Sequence, residues 1–234
     1  MSPRAHFARS AIAHTRLGRD RLTAGTTMQR HRHAIGYVAV VLAGGYLESG
    51  DAGRRQVGPG DALVHRPFEG HLDRIGARGA VVVNVPAPAS IALPDAFRVV
   101  DADAIARAAE SDVTAASELL EPSTGVVALE DDWPDRLAAL LRVRSDVRLA
   151  QWADAMRLAP ETVSRGFRAA FGATPARYRA EARARRALSA LCERDDPLVE
   201  IALACGFADQ SHLSRAIVEL TGVAPSAWRR RVPH

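Results

Sequence analysis

Three histidines in the N-terminal third of the chain are spaced so that they could bind a metal ion together. His31 and His33 are two residues apart, so on a strand their side chains point to the same face. His71 could reach them from a neighbouring strand, and three imidazoles around one point suit zinc, iron or nickel. The pattern allows a divalent-metal site at His31, His33 and His71, but it favours an organic or peptide-like effector in the same pocket, contacted also by Tyr37. The third possibility is a pocket without a ligand.

A second group of chemically useful residues recurs in the C-terminal half. Residues 153–179 and 202–229 read as two copies of one unit, each a helix, a tight turn and a second helix. This is the unit with which many proteins read DNA. A shift of 50 positions lays Ser164 on Ser214, Arg165 on Arg215, and Gly172 on Gly222.

The second helix of each unit is predicted to present a polar face to DNA. These helices are 160–171 and 209–220, preceded by helices 149–156 and 198–205. Apolar residues at i, i+4 and i+7 form one buried stripe in each, which leaves long polar side chains free to enter a major groove. The predicted DNA-contacting residues are Glu161, Thr162, Ser164, Arg165, Arg168, Gln210, Ser211, His212, Ser214, Arg215 and Val218.

The segment between the two units is predicted to be one continuous helix. Residues 175–192 are rich in Ala, Arg and Leu, contain no internal Gly or Pro, and follow Thr174 as N-cap. A helix of this length spans about 27 Å. Such a helix is a rigid spacer that sets the distance between the two reading helices.

Residues 133–234 resemble the DNA-binding domain of AraC/XylS-type transcription regulators. The most specific stretch is 201–215, followed by Gly222 to Pro225 and by Arg229. Ala159 and Ala224 depart from the family pattern, because serine is usual at both places. The resemblance implies sequence-specific binding of double-stranded DNA in a bacterial regulator, with RNA polymerase as a partner if the protein is an activator.

Composition agrees with a DNA-binding domain joined to a second domain. Residues 133–234 hold 17 arginines and 11 acidic residues, a net charge of +6, whereas residues 1–132 have a net charge of −2. A basic module suits a polyanionic partner. Cys192 and Cys205 have no metal-type spacing and fit a reducing cytoplasm. Because no stretch of about 20 apolar residues occurs, no membrane span is predicted.

The first domain reads as β-structure. Strands are predicted at 37–42 and 80–85, a turn at Gly44–Gly45, another turn at 49–53, and a hairpin over 56–65. Short strands with dense Gly and Pro turns suit a small barrel. The region resembles the cupin-like sensor barrel of these regulators through the residues His31, His33, Gly44, Pro59, Gly60, Asp61 and His71. Tyr37 stands where metal-binding cupins place a Glu ligand.

Four segments follow from these patterns. Residues 1–28 are predicted to be a mobile N-terminal arm, and 29–100 the sensor barrel. Residues 101–120 read as one or two helices that either make a homodimer contact or cover the barrel, with a linker up to residue 132. The DNA-binding domain occupies 133–234. The predicted fold class is α+β, a cupin-like β-barrel followed by an all-α domain with two helix-turn-helix units.

The sequence favours a cytoplasmic, effector-responsive transcription regulator without catalytic activity. Two alternatives remain. One is a cupin-type metal enzyme fused to a DNA-binding domain, which would require stoichiometric metal and turnover. The other is a constitutive DNA-binding protein whose ligand-free barrel serves only for dimerisation, and its DNA affinity would not respond to any ligand.

Overall fold

The computed structural model describes residues 12–88, 93–125, 127–144 and 146–230. A β-rich domain precedes a helical one, which confirms the α+β class. The strands are β1 Ile12–Ala13, β2 Gly18–Leu22, β3 Thr27–His33, β4 Tyr37–Gly50, β5 Gly53–Val57, β6 Asp61–His65, β7 Gly70–Pro86 and β8 Ala96–Arg98.

The described strands form one sheet of eight, with the order β1-β3-β7-β4-β6-β8. Off this path, β2 pairs with β7 and β5 pairs with β4. The first and last strands of the path do not pair with each other, so hydrogen bonding leaves the sheet open where the sequence predicted a closed barrel. The branched strand order arises from the long strands β4 and β7. Each of them pairs with different neighbours along its length.

Two predicted turns in this domain were wrong in detail. Strand β4 continues through Gly44–Gly45, where Gly44 takes a φ of +71° and the register with β7 shifts. Glycine accepts this left-handed conformation without a Cβ penalty, so the strand bends by a bulge and does not reverse. The predicted hairpin at 56–65 also differs, because β5 and β6 both pair with β4 and not with each other.

The N-terminal segment is part of the sheet from residue 12 onwards, which corrects the predicted mobile arm. Strand β1 pairs in parallel with β3, and β2 pairs with β7 over the whole of Gly18–Leu22. Residues 1–11 lie outside the described residues. The charged sequence of β2 hid this strand, since half of its side chains face solvent at the sheet edge.

Helices α1 Ala102–Ser111 and α2 Val113–Ser117 cover one face of the sheet. Ile105 of α1 and Ala116 of α2 are fully buried in a core with sheet residues such as Val38 and Val83. The segment that the sequence predicted as one or two helices forms two. The packing favours the alternative in which the segment covers the sheet.

The helical domain begins at α3 Trp133–Val143, for which Asp132 and Asp135 form a capping box. The remaining helices are α4 Leu149–Ala155, α5 Pro160–Phe171, α6 Pro175–Glu193, α7 Leu198–Ala204, α8 Gln210–Thr221 and α9 Pro225–Arg229. The predicted helices are confirmed to within about two residues, as boundary definitions allow. Pro197 is the N-cap of α7. Among the described helices, none is both long and apolar enough to cross a bilayer.

A buried ion cluster joins the β-domain to the helical domain. Arg30 of β3 donates to Asp51 with Nη2 at 2.6 Å from Oδ1, and the same nitrogen lies 3.0 Å from Oε2 of Glu181 on α6. Arg185, also on α6, contacts the other oxygen of Asp51 at 2.5 Å. Tyr178 donates its hydroxyl proton to the Asp51 carbonyl. Because these charges neutralise one another, they can be buried between the domains.

Candidate nucleic-acid interface and histidine pocket

Helix α5 presents the first polar face. Pro160 stands at its first position, where a missing N–H costs no intrahelical bond, and Gly172 ends it with a left-handed φ of +68°. Val163 and Phe167 are buried against α3, α4 and α6. Ala159, the N-cap, makes no side-chain hydrogen bond. The helix is therefore held by its apolar stripe and its C-terminal glycine.

Helix α8 repeats the arrangement with a stronger start. Asp209 caps it by accepting a hydrogen bond from the His212 N–H at 2.7 Å, an arrangement worth about 1 kcal/mol. Leu213 and Ile217 are fully buried in the core of the second unit. Gly222 ends the helix with a φ of +77°.

The structure brings most of the predicted DNA-contacting side chains to the solvent-facing sides of these two helices. Arg165 and Arg215 are exposed and form no ion pair with any described residue, so both guanidinium groups are available to a ligand. His212 is only half-exposed, because its ring packs edge-on against Phe207 at 5.2 Å. The other exposed predicted residues are Glu161, Ser164, Arg168, Gln210, Ser211 and Val218, whereas Thr162 and Ser214 are partly buried.

Helix α6 holds both units at a fixed separation. Its N-terminal half packs on the first unit, where Tyr178 is fully buried with its ring 5.4 Å from that of Phe167. Its C-terminal half packs on the second unit through Ala187 and Leu191. At 19 residues the helix measures about 28 Å. It is the rigid spacer that the sequence predicted.

The three predicted metal-binding histidines meet inside the β-domain. His31 and His33 lie on one face of β3, and β7 pairs His71 directly opposite His31. One ring nitrogen of each lies within 4.8 Å of the others. A tetrahedral metal with nitrogens at about 2.0–2.1 Å would require a small inward movement of the rings.

The free nitrogens of this pocket fit a metal ion. Among the described residues, the buried His33 Nε2 and His71 Nδ1 have no hydrogen-bond partner. His31 Nδ1 lies 2.9 Å from the Gln29 carbonyl, which fixes the tautomer and leaves Nε2 for a ligand. His33 Nδ1 is similarly held by the Thr15 hydroxyl at 3.0 Å.

Burial keeps these imidazoles neutral, the form that binds metals. Desolvation, with a smaller contribution from His31, lowers the pKa of His33 to about 4. Desolvation followed by the neighbouring histidines lowers the pKa of His71 well below its ordinary value. The pocket can therefore offer lone pairs without first losing protons near neutral pH.

Sequence reasoning missed several pocket residues next to the three histidines. His65 stacks on Tyr37 with ring centroids 4.4 Å apart, and its ring lies equally close to that of His71. Glu48 and Asp73 face each other across β4 and β7 below them. The period of two along β7, which puts Asp73 on the same face as His71, was the available signal.

The two buried carboxyl groups beside the histidines both have raised pKa values. Burial raises the pKa of Asp73 to about 7. Burial, followed by repulsion from Asp73, raises the pKa of Glu48 well above its ordinary value. His65 Nε2 lies 3.5 Å from Glu48, and His71 Nε2 lies 3.9 Å from Asp73. Carboxyl oxygens are thus near the histidines although Tyr37 occupies the position where a Glu ligand was expected.

Comparison with known proteins supports the identification of the helical domain. Residues 152–231 match the family model described as a helix-turn-helix domain. No curated protein matches the chain in sequence. This match lies on the segment that folds as two helix-turn-helix units and confirms a helix-turn-helix domain there.

Several solved structures are similar to this chain. The C-terminal domain of AraT, a response regulator from Geobacillus stearothermophilus, is 25% identical over 42% of this chain and 84% of its own, with a TM-score of 0.39. A regulator with an AraC-type DNA-binding domain from Chromobacterium violaceum is 23% identical over 42% and 89%, with a TM-score of 0.39. An apo variant of ToxT from Vibrio cholerae is 11% identical over 92% and 97%, with a TM-score of 0.43.

Proposed function

We propose that this chain is a sequence-specific regulator of transcription whose DNA binding responds to an effector in the β-domain. The observation that carries the proposal is the pair of helix-turn-helix units on one rigid helix, each with an exposed arginine at an equivalent place that forms no ion pair with the described residues. Arg165 and Arg215 can each reach a guanine edge with a bidentate fork. RNA polymerase is a further partner if the protein activates transcription, and a homodimer and a cytoplasmic location are part of the same proposal.

The β-domain is proposed to bind a divalent transition metal. The supporting observation is the set of nitrogens of His31, His33 and His71, two of them buried without partners among the described residues. When bound, the metal would act as a Lewis-acidic cation held by three neutral imidazoles. An organic effector in the same pocket is the alternative that a binding measurement must separate from a metal.

Strand β3 supports a link between the pocket and the DNA-binding domain. His31 and His33 face the pocket, while Arg30 and Arg32, which alternate with them, face the helical domain. A ligand that moves the imidazoles therefore moves the strand that carries both arginines. This gives an effector a physical route to the reading helices.

Selection of sites from random DNA with the full-length protein tests the first part. We expect an enriched motif that footprints as two contact blocks about 10 bp apart on one face of the duplex, one helical turn. Affinity should fall steeply with salt, because arginines release counterions from phosphates. No enrichment, or blocks on opposite faces of the duplex, would contradict the proposed mode of binding.

Titration with zinc, iron and nickel salts tests the second part. We expect one bound equivalent and a change in affinity for the selected DNA. Turnover of a substrate by the metal-loaded protein would instead favour a cupin-type enzyme. Unchanged DNA affinity with every metal and organic ligand tested would favour a constitutive DNA-binding protein.

A further inference from the structure

Both reading helices end against the β-domain. At the end of α5, Arg74 of β7 donates to the carbonyls of Ala169 and Ala170, and Arg30 of β3 donates to the carbonyl of Phe171 at 3.4 Å. These carbonyls belong to the last turn, where no intrahelical donor is left for them and the helix dipole is negative. An arginine side chain meets both needs, because its N–H groups donate to the carbonyls and its positive charge faces the negative end of the helix dipole.

The same contact occurs at the end of α8. Arg32 of β3 donates from Nη2 to the carbonyl of Glu219 at 3.1 Å, and Glu219 also lies in the last turn of its helix. Arg32 is almost fully buried, with 4% of its surface exposed. The β-domain thus uses one kind of contact on both reading helices.

These arginines are carried by one rigid surface. Arg30 and Arg32 are two residues apart and share a face of β3. Arg74 lies on β7, which pairs with β3 through Thr27 opposite Arg74 and His31 opposite His71. The ends of α5 and α8 are therefore both held by the same two hydrogen-bonded strands, in addition to their shared attachment to α6.

The attachment leaves the DNA-facing surfaces free. Arg165 and Arg168 on α5, and Arg215 and Val218 on α8, are exposed while the arginines of the β-domain hold the helix ends. DNA can be bound with the β-domain in this position. The contact is therefore compatible with a positioning role.

We infer that Arg32 and Arg74 are positioning residues for DNA reading, because they set the separation and tilt of α5 relative to α8. This inference rests on the proposed function. Helix α6 fixes how far apart the units are, but each unit joins α6 through a short turn, at residues 172–174 and 194–197. A second attachment at the C-terminal end of each reading helix, beside the turn for α5 and remote from it for α8, restricts movement of each unit about those turns. The β-domain thereby contributes to which spacing of two base blocks is recognised.

The test measures spacing preference. From the selected motif, DNAs are made in which the two contact blocks are moved 1 or 2 bp closer or further apart. Each base pair added rotates a block by about 35°, given 10–10.5 bp per turn. We expect wild-type affinity to fall about tenfold or more, equivalent to about 1.4 kcal/mol. Arg32→Gln and Arg74→Gln should flatten this profile to less than about threefold, equivalent to about 0.7 kcal/mol.

A matched control is Arg142→Gln. Arg142 of α3 also joins the domains, donating to the Asp51 carbonyl at 3.0 Å, and within the described part of the chain it forms no hydrogen bond with α5 or α8. This variant should keep the wild-type profile. Affinity for DNA with a single block should be equal in all four proteins, which shows that each helix still reads its bases.

Three results would overturn the inference. They are a flat wild-type profile, wild-type profiles in both Arg32→Gln and Arg74→Gln, and equal flattening in the Arg142→Gln control. If the wild-type protein selects no DNA motif at all, the proposed function fails and the positioning role falls with it. That result differs visibly from a protein that binds DNA but tolerates every spacing.

Discussion

The guanidinium of Arg30 and the carboxylate of Asp51 lie 2.6 Å apart and are exposed by only 3% and 2%. Arg30 extends this pair to Glu181 and Asp51 extends it to Arg185, so the pair connects the β-domain to helix α6. A charge at this depth is stable only while its partner is present. The stability of the protein and the contact between its domains therefore depend on the same few atoms.

We predict that Asp51→Asn lowers the free energy of unfolding by about 3–5 kcal/mol, because it leaves two buried arginines with too few anionic partners. Urea unfolding at neutral pH measures the loss. Asp20→Asn is the control, since Asp20 forms an exposed pair with Arg16 at 3.4 Å and should cost at most about 1 kcal/mol. Equal losses in the two variants would contradict a special role for the buried cluster.

The same buried ion cluster predicts that the folded protein is less stable in acid. Burial alone would raise the pKa of Asp51, but Arg185 and Arg30, with the Gly70 N–H, outweigh it and lower the pKa below 3.8. A carboxyl whose folded-state pKa is lowered stabilises the fold above its unfolded value, and this contribution is lost as pH falls through the lowered value. The stability difference between wild type and Asp51→Asn should hence shrink as the pH is lowered below 3.8. Unfolding curves across an acid pH series check this, and a constant difference would contradict it.

We predict that Arg165→Ala and Arg215→Ala each relax base preference in one half of the DNA site. Each bidentate contact to guanine discriminates by about 1–3 kcal/mol. Arg165 should be the stronger determinant, because Glu161 and Arg168 share its face. Selection from random DNA with each variant measures the preference, with exposed Arg107 of α1 as the control position. Uniform weakening over the whole site in both variants would mean that these arginines contact only phosphates.

Replacement of His31, His33 and His71 by alanine should abolish metal binding and the response of DNA affinity to metal. His65→Ala is the control, because it removes a pocket imidazole outside the ligand group. It should keep one metal equivalent, measured by elemental analysis after dialysis. If the triple variant still responds to effector and the wild type carries no metal, the three histidines only pack the interior of the β-domain.

Gly172→Ala and Gly222→Ala should differ in cost although both glycines end a reading helix. Both adopt a positive φ, for which alanine pays about 1–2 kcal/mol. A Cβ on Gly172 would also lie 2.9 Å from Cβ of Arg30 and 3.0 Å from Cδ1 of Leu72, whereas one on Gly222 would meet nothing within 4 Å. Thermal unfolding should therefore show a larger loss for Gly172→Ala. Equal losses would indicate that the α5 end is not tightly held by the β-domain.

The limits of α5 and α8 were predictable because local residues determine them. Pro160 and Asp209 favour helix starts, and Gly172 and Gly222 favour helix ends, whatever the rest of the chain does. The histidine group was predictable for a similar reason, since the period of two puts His31 and His33 on one face.

Contacts between distant segments could not be predicted in this way. Arg30 and Glu181 are 151 residues apart, and no local pattern indicates that β3 will lie beside α6. Strand β2 was missed because its charged residues have low strand propensity and its pairing with β7 outweighs that preference. Glu48 entered the pocket because β4 runs on through Gly44–Gly45 without turning back, which depends on the packing of the whole sheet.

Phe68 shows that this molecule cannot be divided cleanly at residue 133. It belongs to the β-domain, yet its ring is buried in the apolar core of the second helix-turn-helix unit and meets Trp228 edge-on at 5.6 Å. Its φ of 63° is unusual for a non-glycine residue. A fragment that begins at residue 133 would expose the apolar site that this ring fills. Such a fragment would tend to aggregate. A chimaera in which the β-domain is replaced must likewise keep an aromatic side chain at this place, which restricts the domain exchanges that this fold tolerates.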